Sequence, residues 1–349
     1  MRERSRPASG VLTKRTRKMR TIPKHTPGVY PPSASEDEQL HAVADGLRKL
    51  DPDGSRIANV LRDTIDQLLD GERTGRWDWA TLHKTEKTHM GTLVEIGLHK
   101  EFEFADGTVM DYDIDGIEVD CKFSQEVGGW EMPPESLGHL CLVVSANDDA
   151  ATWSAGLIRV EDHLLRTGRR IDGLKGNRDG KRKLTDEGES RILWLFETAS
   201  LPRNIFLELS DEAREAIFSA RTGNRSTSGQ ARLKEMFRRV PGQIVRRSAV
   251  YTVAMQDDSM KRARDCRLER HLGREGFLIL GHLSQDRDVA EALGLPKPDK
   301  GELVSVRVHP AKDWDDAPVA EINGTYWRIA RPTDPAVVAP NLRSTEDEG

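Results

Sequence analysis

The stretch Asp111-Tyr112-Asp113-Ile114-Asp115-Gly116-Ile117-Glu118-Val119-Asp120-Cys121-Lys122-Phe123 constrains this chain more than any other. Ile117, Val119, Cys121 and Phe123 alternate with Glu118, Asp120 and Lys122, the period of a strand with one face on a core. Asp115-Gly116 is a favoured two-residue hairpin turn. Counting outward from it pairs Ile114 with Ile117, Asp113 with Glu118, Tyr112 with Val119 and Asp111 with Asp120. Two carboxylates then face each other with Cβ atoms about 4.5 to 5.5 Å apart, a like-charge pair that destabilises a sheet unless something offsets it. A hard divalent cation such as Mg²⁺ would do so, because it takes a few carboxylates and keeps positions for phosphate oxygens and a nucleophile. Lys122 shares the face of Asp120, where its charge stabilises developing anion or its own pKa falls beside the cation. These are the parts of a phosphodiester-hydrolysing site. For an arbitrary DxK the commoner reading is a solvated acidic hairpin in which Lys122 pairs with Glu118 or Asp120. Against it stand the apolar opposite face, the register, and Glu95, which sits between Val94 and Ile96 where an unpartnered carboxylate is out of place.

The rest of the chain gives this hairpin a setting. A length of 349 residues points to two domains. Hydrophobic residues at 36% and charged residues at 32% leave enough Leu, Ile and Val for sizeable cores. No apolar run reaches the roughly 18 to 20 residues of a membrane helix, and the basic N-terminus lacks a signal peptide's apolar stretch, so a soluble cytoplasmic protein is expected. Cys121, Cys141 and Cys266 form no CxxC pair and read as core residues. Residues 1–36, rich in Pro, Ser, Arg and Lys, read as a disordered basic arm. Residues 37–198 read as a mixed α/β unit. It has helices through Leu40, Val43, Leu47 and Leu50, through Ile57, Val60, Leu61, Ile65 and Leu68, and over residues 92–102. Strands follow near 111–114, 117–123, 140–146 and 154–160, with a basic exposed loop over 169–183.

Residues 199–340 read as a second unit and 341–349 as a flexible tail. Ala213, Ala216, Ile217 and Ala220 mark one short helix, and Leu233, Met236, Phe237 and Val240 another. Strands are expected at 248–254, 277–280 and 303–308, with a hairpin turning at Asn323-Gly324. Helices with a β-wing suggest a helix-turn-helix-like unit, although the gap between the two helices exceeds the usual turn.

Charge is segregated along the chain although its net value is only −5. Residues 1–24 carry nine Lys and Arg against Glu3, net +8. Residues 225–247 carry Arg225, Arg232, Lys234, Arg238, Arg239, Arg246 and Arg247 against Glu235, net +6. Clustered cations suit the phosphates of nucleic acid, although a solvated tail or helix face is the plainer alternative. Lys84 and Lys87, expected in a loop with His83 and His89, are further candidates for phosphate contact, whereas the spacing of His83, His89 and His99 is not a metal-ligand pattern. Leu68-Leu69-Asp70-Gly71-Glu72-Arg73 resembles the KxDGxR motif of DNA ligases with Leu68 in place of the lysine. Without that amine no phosphoramidate can form, and a helix end closed by Gly71 explains the pattern.

Glu95, Asp111 and Asp120-Cys121-Lys122 resemble the E…D…DxK arrangement of PD-(D/E)xK nucleases, with Met110 where the usual Pro stands. More closely, the chain resembles NaeI-type restriction endonucleases. The resemblance runs through Leu50-Asp51-Pro52-Asp53-Gly54, Thr74-Gly75-Arg76-Trp77, residues 82–96, the hairpin and Pro133-Pro134-Glu135-Ser136. It continues thinly through Gly229-Gln230-Ala231-Arg232 and Gly294-Leu295-Pro296, covering about residues 45–330 and leaving the basic arm outside. It implies an α/β (α+β) two-domain chain. The N-terminal domain would be a restriction-endonuclease-like mixed sheet with flanking helices, and the C-terminal one a winged helix-turn-helix domain similar to that of the catabolite activator protein. It implies a homodimer that binds double-stranded DNA at two sites, one activating cleavage at the other, with GCCGGC as the palindrome. Glu95, Asp111, Asp120 and Lys122 would be catalytic, with Glu95, Asp111, Asp120 and the Cys121 carbonyl holding Mg²⁺. The function expected is a type II restriction endonuclease leaving 5′-phosphate and 3′-hydroxyl ends. The alternatives are another PD-(D/E)xK repair or nicking nuclease and, in a different class, a non-catalytic helix-turn-helix regulator.

Overall fold

The computed structural model describes residues 36–167, 179–221, 228–312 and 317–342. Helix α1 (Glu38–Leu50) starts where the Asp37 carboxylate accepts the Leu40 amide at 3.0 Å, and it buries Leu40, Val43, Ala44 and Leu47. The Asp51-Pro52-Asp53-Gly54 break ends it. The Asp51 carboxylate accepts the Arg56 and Ile57 amides of α2 (Ser55–Leu69), which buries Ile57, Leu61, Ile65 and Leu68. A one-turn α3 (Gly71–Thr74) follows, then α4 (Lys84–Phe102). The sequence places the start of α4 near Thr92, but the helix begins two turns earlier because the Glu86 carboxylate folds back onto the His83 amide at 2.7 Å.

Helices α1 and α4, with α2 packed on α4, cover one face of a six-stranded sheet. Its strands are β1 (Ala105–Asp106), β2 (Tyr112–Ile114), β3 (Ile117–Ser124), β4 (Leu140–Asn147), β5 (Thr152–Arg159) and β6 (Leu193–Ser200), hydrogen-bonded in that order. All neighbours are antiparallel except β3 and β4, which makes the sheet mixed. On the helix face Leu140, Leu142 and Val144 meet Leu61, Val94 and Leu98, while Cys141 and Val143 meet Trp130, Met132 and Ile158 on the other. Burial on both faces explains why the strand reads as an unbroken apolar run. Helix α5 (Asp186–Ser190) precedes β6, and β6 runs two residues past the boundary expected at 198.

After it come α6 (Ile205–Glu208), α7 (Asp211–Ser219), α8 (Gly229–Arg239), β7 (Ile244–Arg246), α9 (Arg247–Ala254) and α10 (Ser259–Asp265). Then follow β8 (Phe277–Leu280), α11 (Ser284–Ala292), β9 (Glu302–Pro310), β10 (Val319–Ile322) and β11 (Thr325–Ile329). In the second sheet β9 pairs with β7, β8 and β11, and β10 closes the Asn323-Gly324 hairpin with both turn residues at positive φ. The expected strand over 248–254 is instead α9. Its Val, Tyr and Thr content favours strand locally, but Ala249, Val250, Val253 and Ala254 form a helical face buried among Leu233, Phe237 and Ala263. Cys121, Cys141 and Cys266 are buried free thiols. Among the described residues no helix is long and apolar enough to cross a membrane.

Helix α4 lies close on α2 because Gly97 has no side chain: a Cβ there would stand 2.8 Å from Val60 Cγ1. Gly97→Leu is therefore expected to cost about 1–3 kcal/mol through overpacking, read as a lower urea midpoint at unchanged m-value.

Candidate active site

The hairpin turns as its sequence demands. Asp115 (φ 54°) and Gly116 (φ 80°) both adopt the left-handed conformation of a type I′ turn, and Asp113 Oδ1 accepts the Gly116 amide at 2.7 Å. The resulting ladder pairs Ile114 with Ile117, Asp113 with Glu118 and Tyr112 with Val119. It stops there, so Asp111 does not pair with Asp120 as a strand residue. Asp111 precedes β2, and its Oδ2 accepts the Cys121 amide across the gap at 2.7 Å. The loop that delivers it is wound around Glu118, whose carboxylate accepts the amides of Met110 (2.7 Å), Thr108 (2.7 Å) and Val109 (3.1 Å). Those three donors hold the Glu118 carboxyl below its usual range.

Helix α4 brings Glu95 to the same end of the sheet. The fully buried Tyr112 donates its hydroxyl to the Glu95 carbonyl at 2.9 Å, fixing the helix against the hairpin beside Asp111. Burial and the Asp111 charge raise the Glu95 carboxyl, while Lys122 and His99 oppose the rise. Burial also lifts the Asp120 carboxyl; the Lys122 charge pulls it down, and Asp111 adds to the rise. Between the two aspartates lies Lys122. Its Nζ binds Asp120 Oδ1, stands 3.6 Å from Asp111 Oδ2 and donates to the Cys121 carbonyl at 2.9 Å. Without a cation the Lys122 pKa is raised. Burial lowers it, but the Asp120 and Asp111 carboxylates outweigh burial and raise it. The structure thus brings Glu95, Asp111, Asp120 and Lys122 into one electrostatic unit.

Among the described residues no three metal-ligating side chains converge on one point. Asp120 Oδ2 is nevertheless buried with no hydrogen-bond partner, an unmet demand of the kind a cation satisfies, and the Asp111 and Glu95 carboxylates and the Cys121 carbonyl supply oxygens of the type Mg²⁺ prefers. The residues fit such an ion.

The expected DNA contacts fare differently. Lys84 is exposed and Lys87 half-buried, its Nζ 5.9 Å from the Trp79 ring centroid, but both lie in the first turn of α4 and not in a loop. Arg225 lies outside the described residues. On α8, Arg232 is buried, with its guanidinium on the Val253 and Ala254 carbonyls at the end of α9. Arg238 forms a two-pronged pair with Glu275 (2.8 and 2.7 Å) and a bond to Glu235, which also holds Arg239. Lys234 is half-buried on the same helix. Of the basic face read from the sequence, Arg232 is thus internal, while Lys234, Arg238 and Arg239 are half-buried, with α7, α9 and α10 packed on α8. Arg246, from the same basic cluster, joins Asp63 (2.9 Å) and Asn59 (3.0 Å) of α2. Sequence reasoning missed Tyr112 and Glu118 as positioning groups; the only signal was their place in the counted register, opposite Val119 and Asp113.

Removing Lys122 leaves Asp111 and Asp120 to repel each other. In Lys122→Met the folded carboxyls should bind protons more tightly than unfolded ones, so stability should fall as pH rises from the unfolded carboxyl range to neutrality. Thermal unfolding without divalent ions should show the slope in the variant and a weaker one in the parent protein.

Comparison with known proteins accords with this geometry. A family model described as Restriction endonuclease NaeI matches residues 41–338. The Type II restriction enzyme NaeI of Lentzea aerocolonigenes is 50% identical over 309 residues, spanning 88% of this chain and 95% of that protein. With an acidic cluster and its lysine on a mixed sheet, and similarity over most of its length, the chain belongs to the NaeI restriction endonuclease family.

Proposed function

We propose that this enzyme hydrolyses both strands of duplex DNA within a short palindrome, GCCGGC by family resemblance, and that a second copy of the site activates it. The observation that carries the nuclease reading is the Lys122 ammonium held between Asp111 and Asp120, with an orphaned Asp120 oxygen beside it. Asp111, Asp120 and Glu95, with the Cys121 carbonyl, are the groups that would hold Mg²⁺. When bound, the ion supplies Lewis-acid polarisation of the phosphate and a more acidic water. The chain's own groups do the rest. Lys122 places positive charge where the attacked phosphate gains negative charge, and a raised pKa keeps it charged at neutral pH. Burial and the Asp111 charge raise the Glu95 carboxyl, which favours its accepting a proton over an ordinary carboxylate's doing so. Tyr112 and Glu118 keep both acidic partners in place.

Residues 37–200 and 201–340 then serve as cleavage and effector domains of a cytoplasmic homodimer. The run α8, β7, α9, α10 and β8, with β9 following after α11, supports the helix-turn-helix reading, and on that reading α10 is the groove-reading helix. Lys261 and Arg264 on α10 are exposed, and Arg270 and Arg274 follow them.

Digestion of supercoiled DNA of known sequence with Mg²⁺, followed by mapping of the ends, tests the proposal. Defined fragments with 5′-phosphates support it, nicked circles favour a nicking nuclease, and intact DNA favours a non-catalytic binder. Lys122→Ala should lower the cleavage rate by about 10³-fold or more while duplex binding stays near the parent value, since the loss falls on the transition state. Asp111→Asn and Asp120→Asn should each abolish Mg²⁺-dependent turnover. Lys261→Ala combined with Arg264→Ala should cut stimulation by an added GCCGGC duplex more than it cuts the basal rate; equal loss of both would place α10 in the cleavage complex.

A further inference from the structure

Trp77 precedes the catalytic hairpin by more than thirty residues, yet its ring packs against the second core. It lies 6.1 Å from the Phe206 ring and under the Arg214 guanidinium at 4.8 Å, and its carbonyl accepts Asn204 Nδ2 at 2.7 Å. The chain just before it is equally engaged. A Cβ on Gly71 would stand 1.9 Å from Thr252 Oγ1 of α9, and one on Gly75 would stand 3.3 Å from Met255 Sδ. Residues 71–77 are thus inserted against the helices of the C-terminal half.

The next side chain along points the other way. Arg76 forks onto Glu86 in the first turn of α4, at 3.0 and 2.8 Å, and also donates to the last carbonyls of α2, Leu69 at 3.2 Å and Leu68 at 3.3 Å. Glu86 in turn holds the His83 amide that starts α4. A lone ion pair with this much exposure would add little stability, but a bidentate fork with two further carbonyl contacts fixes direction as well as distance. Glu95 lies on the same helix. A shift of the second core therefore reaches α4 through Trp77, Arg76 and Glu86 without passing through the sheet.

We infer that Arg76 is a positioning residue that makes the placement of Glu95 depend on what the C-terminal half binds, an inference that rests on the two-site reading above. The strap formed by Arg76, Trp77 and Glu86 is the rigid element that the two sites bias in common.

The test compares full-length parent protein, Arg76→Gln, Glu86→Gln and the double variant. Cleavage of a one-site plasmid is measured with and without a short GCCGGC duplex, together with duplex affinity and melting temperature. Each single variant should lose about tenfold in stimulation ratio at unchanged duplex affinity, and the double variant should lose no more than either alone, as expected for one shared interaction. Hydrogen exchange over residues 84–95 should slow on duplex addition in the parent protein and not in Arg76→Gln. Variants that keep the parent stimulation ratio overturn the inference, as do equal losses of basal and stimulated rate, which mark a purely structural pair. A parent protein that cleaves but is not stimulated by the duplex overturns the two-site reading and this inference with it.

Discussion

Negative charge concentrated at one end of the first sheet is the constraint that the N-terminal half is built around. Burial raises the cost of ionising Glu95 and Asp120, and the Asp111 charge adds to it at both. Such a cluster holds its shape only if surrounding groups stop the carboxylates from turning away into water. Four of them do so here: the Cys121 amide on Asp111, the Lys122 ammonium between the aspartates, the Tyr112 hydroxyl on the Glu95 backbone, and Glu118 winding the loop ahead of Asp111. Together these four groups hold the cluster in place before any cation or DNA arrives.

The junction with the C-terminal half is similarly overdetermined, though by different chemistry. Arg62 of α2 is almost wholly buried with Asp148 and Asp66 as partners, and Asp148 also receives Asn204 Nδ2 at 3.0 Å. A buried ion pair of this kind is weak evidence for net stability. Removing one partner is nonetheless strongly unfavourable, because it strands a charge in the interior. The junction therefore combines directional polar contacts with the packing of Trp77 on Phe206.

Arginine in this protein is used for structure where its sequence context suggests nucleic acid. Arg232 closes the carbonyl end of α9, Arg238 and Arg239 tie α8 to Glu235 and Glu275, and Arg246 crosses to α2. A planar guanidinium with five donors serves backbone carbonyls and carboxylates as readily as phosphates. Exposed cations gather instead on α10 and just beyond it, at Lys261, Arg264, Arg270 and Arg274.

The hairpin turn, its register from Ile114 to Tyr112, the first two helices and the alternation of β3 were determined by the sequence alone, because each depends on contacts within a few residues: left-handed turn positions, a period of two or of 3.6, a capping carboxylate. Those same local rules brought Asp120 and Lys122 to one face and pointed to Glu95 and Asp111 as partners. What lay beyond reach required knowing which surfaces meet. Residues 248–254 carry strand-forming side chains yet form a helix, since burial among α8 and α10 outweighs a propensity difference of about 1 kcal/mol. Arg232 looked solvent-facing because an amphipathic pattern shows one apolar side and cannot show that part of the polar side is also covered. Trp77's place in the second core and the Glu95–Tyr112 bond join segments far apart in the chain, and only the folded backbone could bring them within hydrogen-bond and van der Waals range.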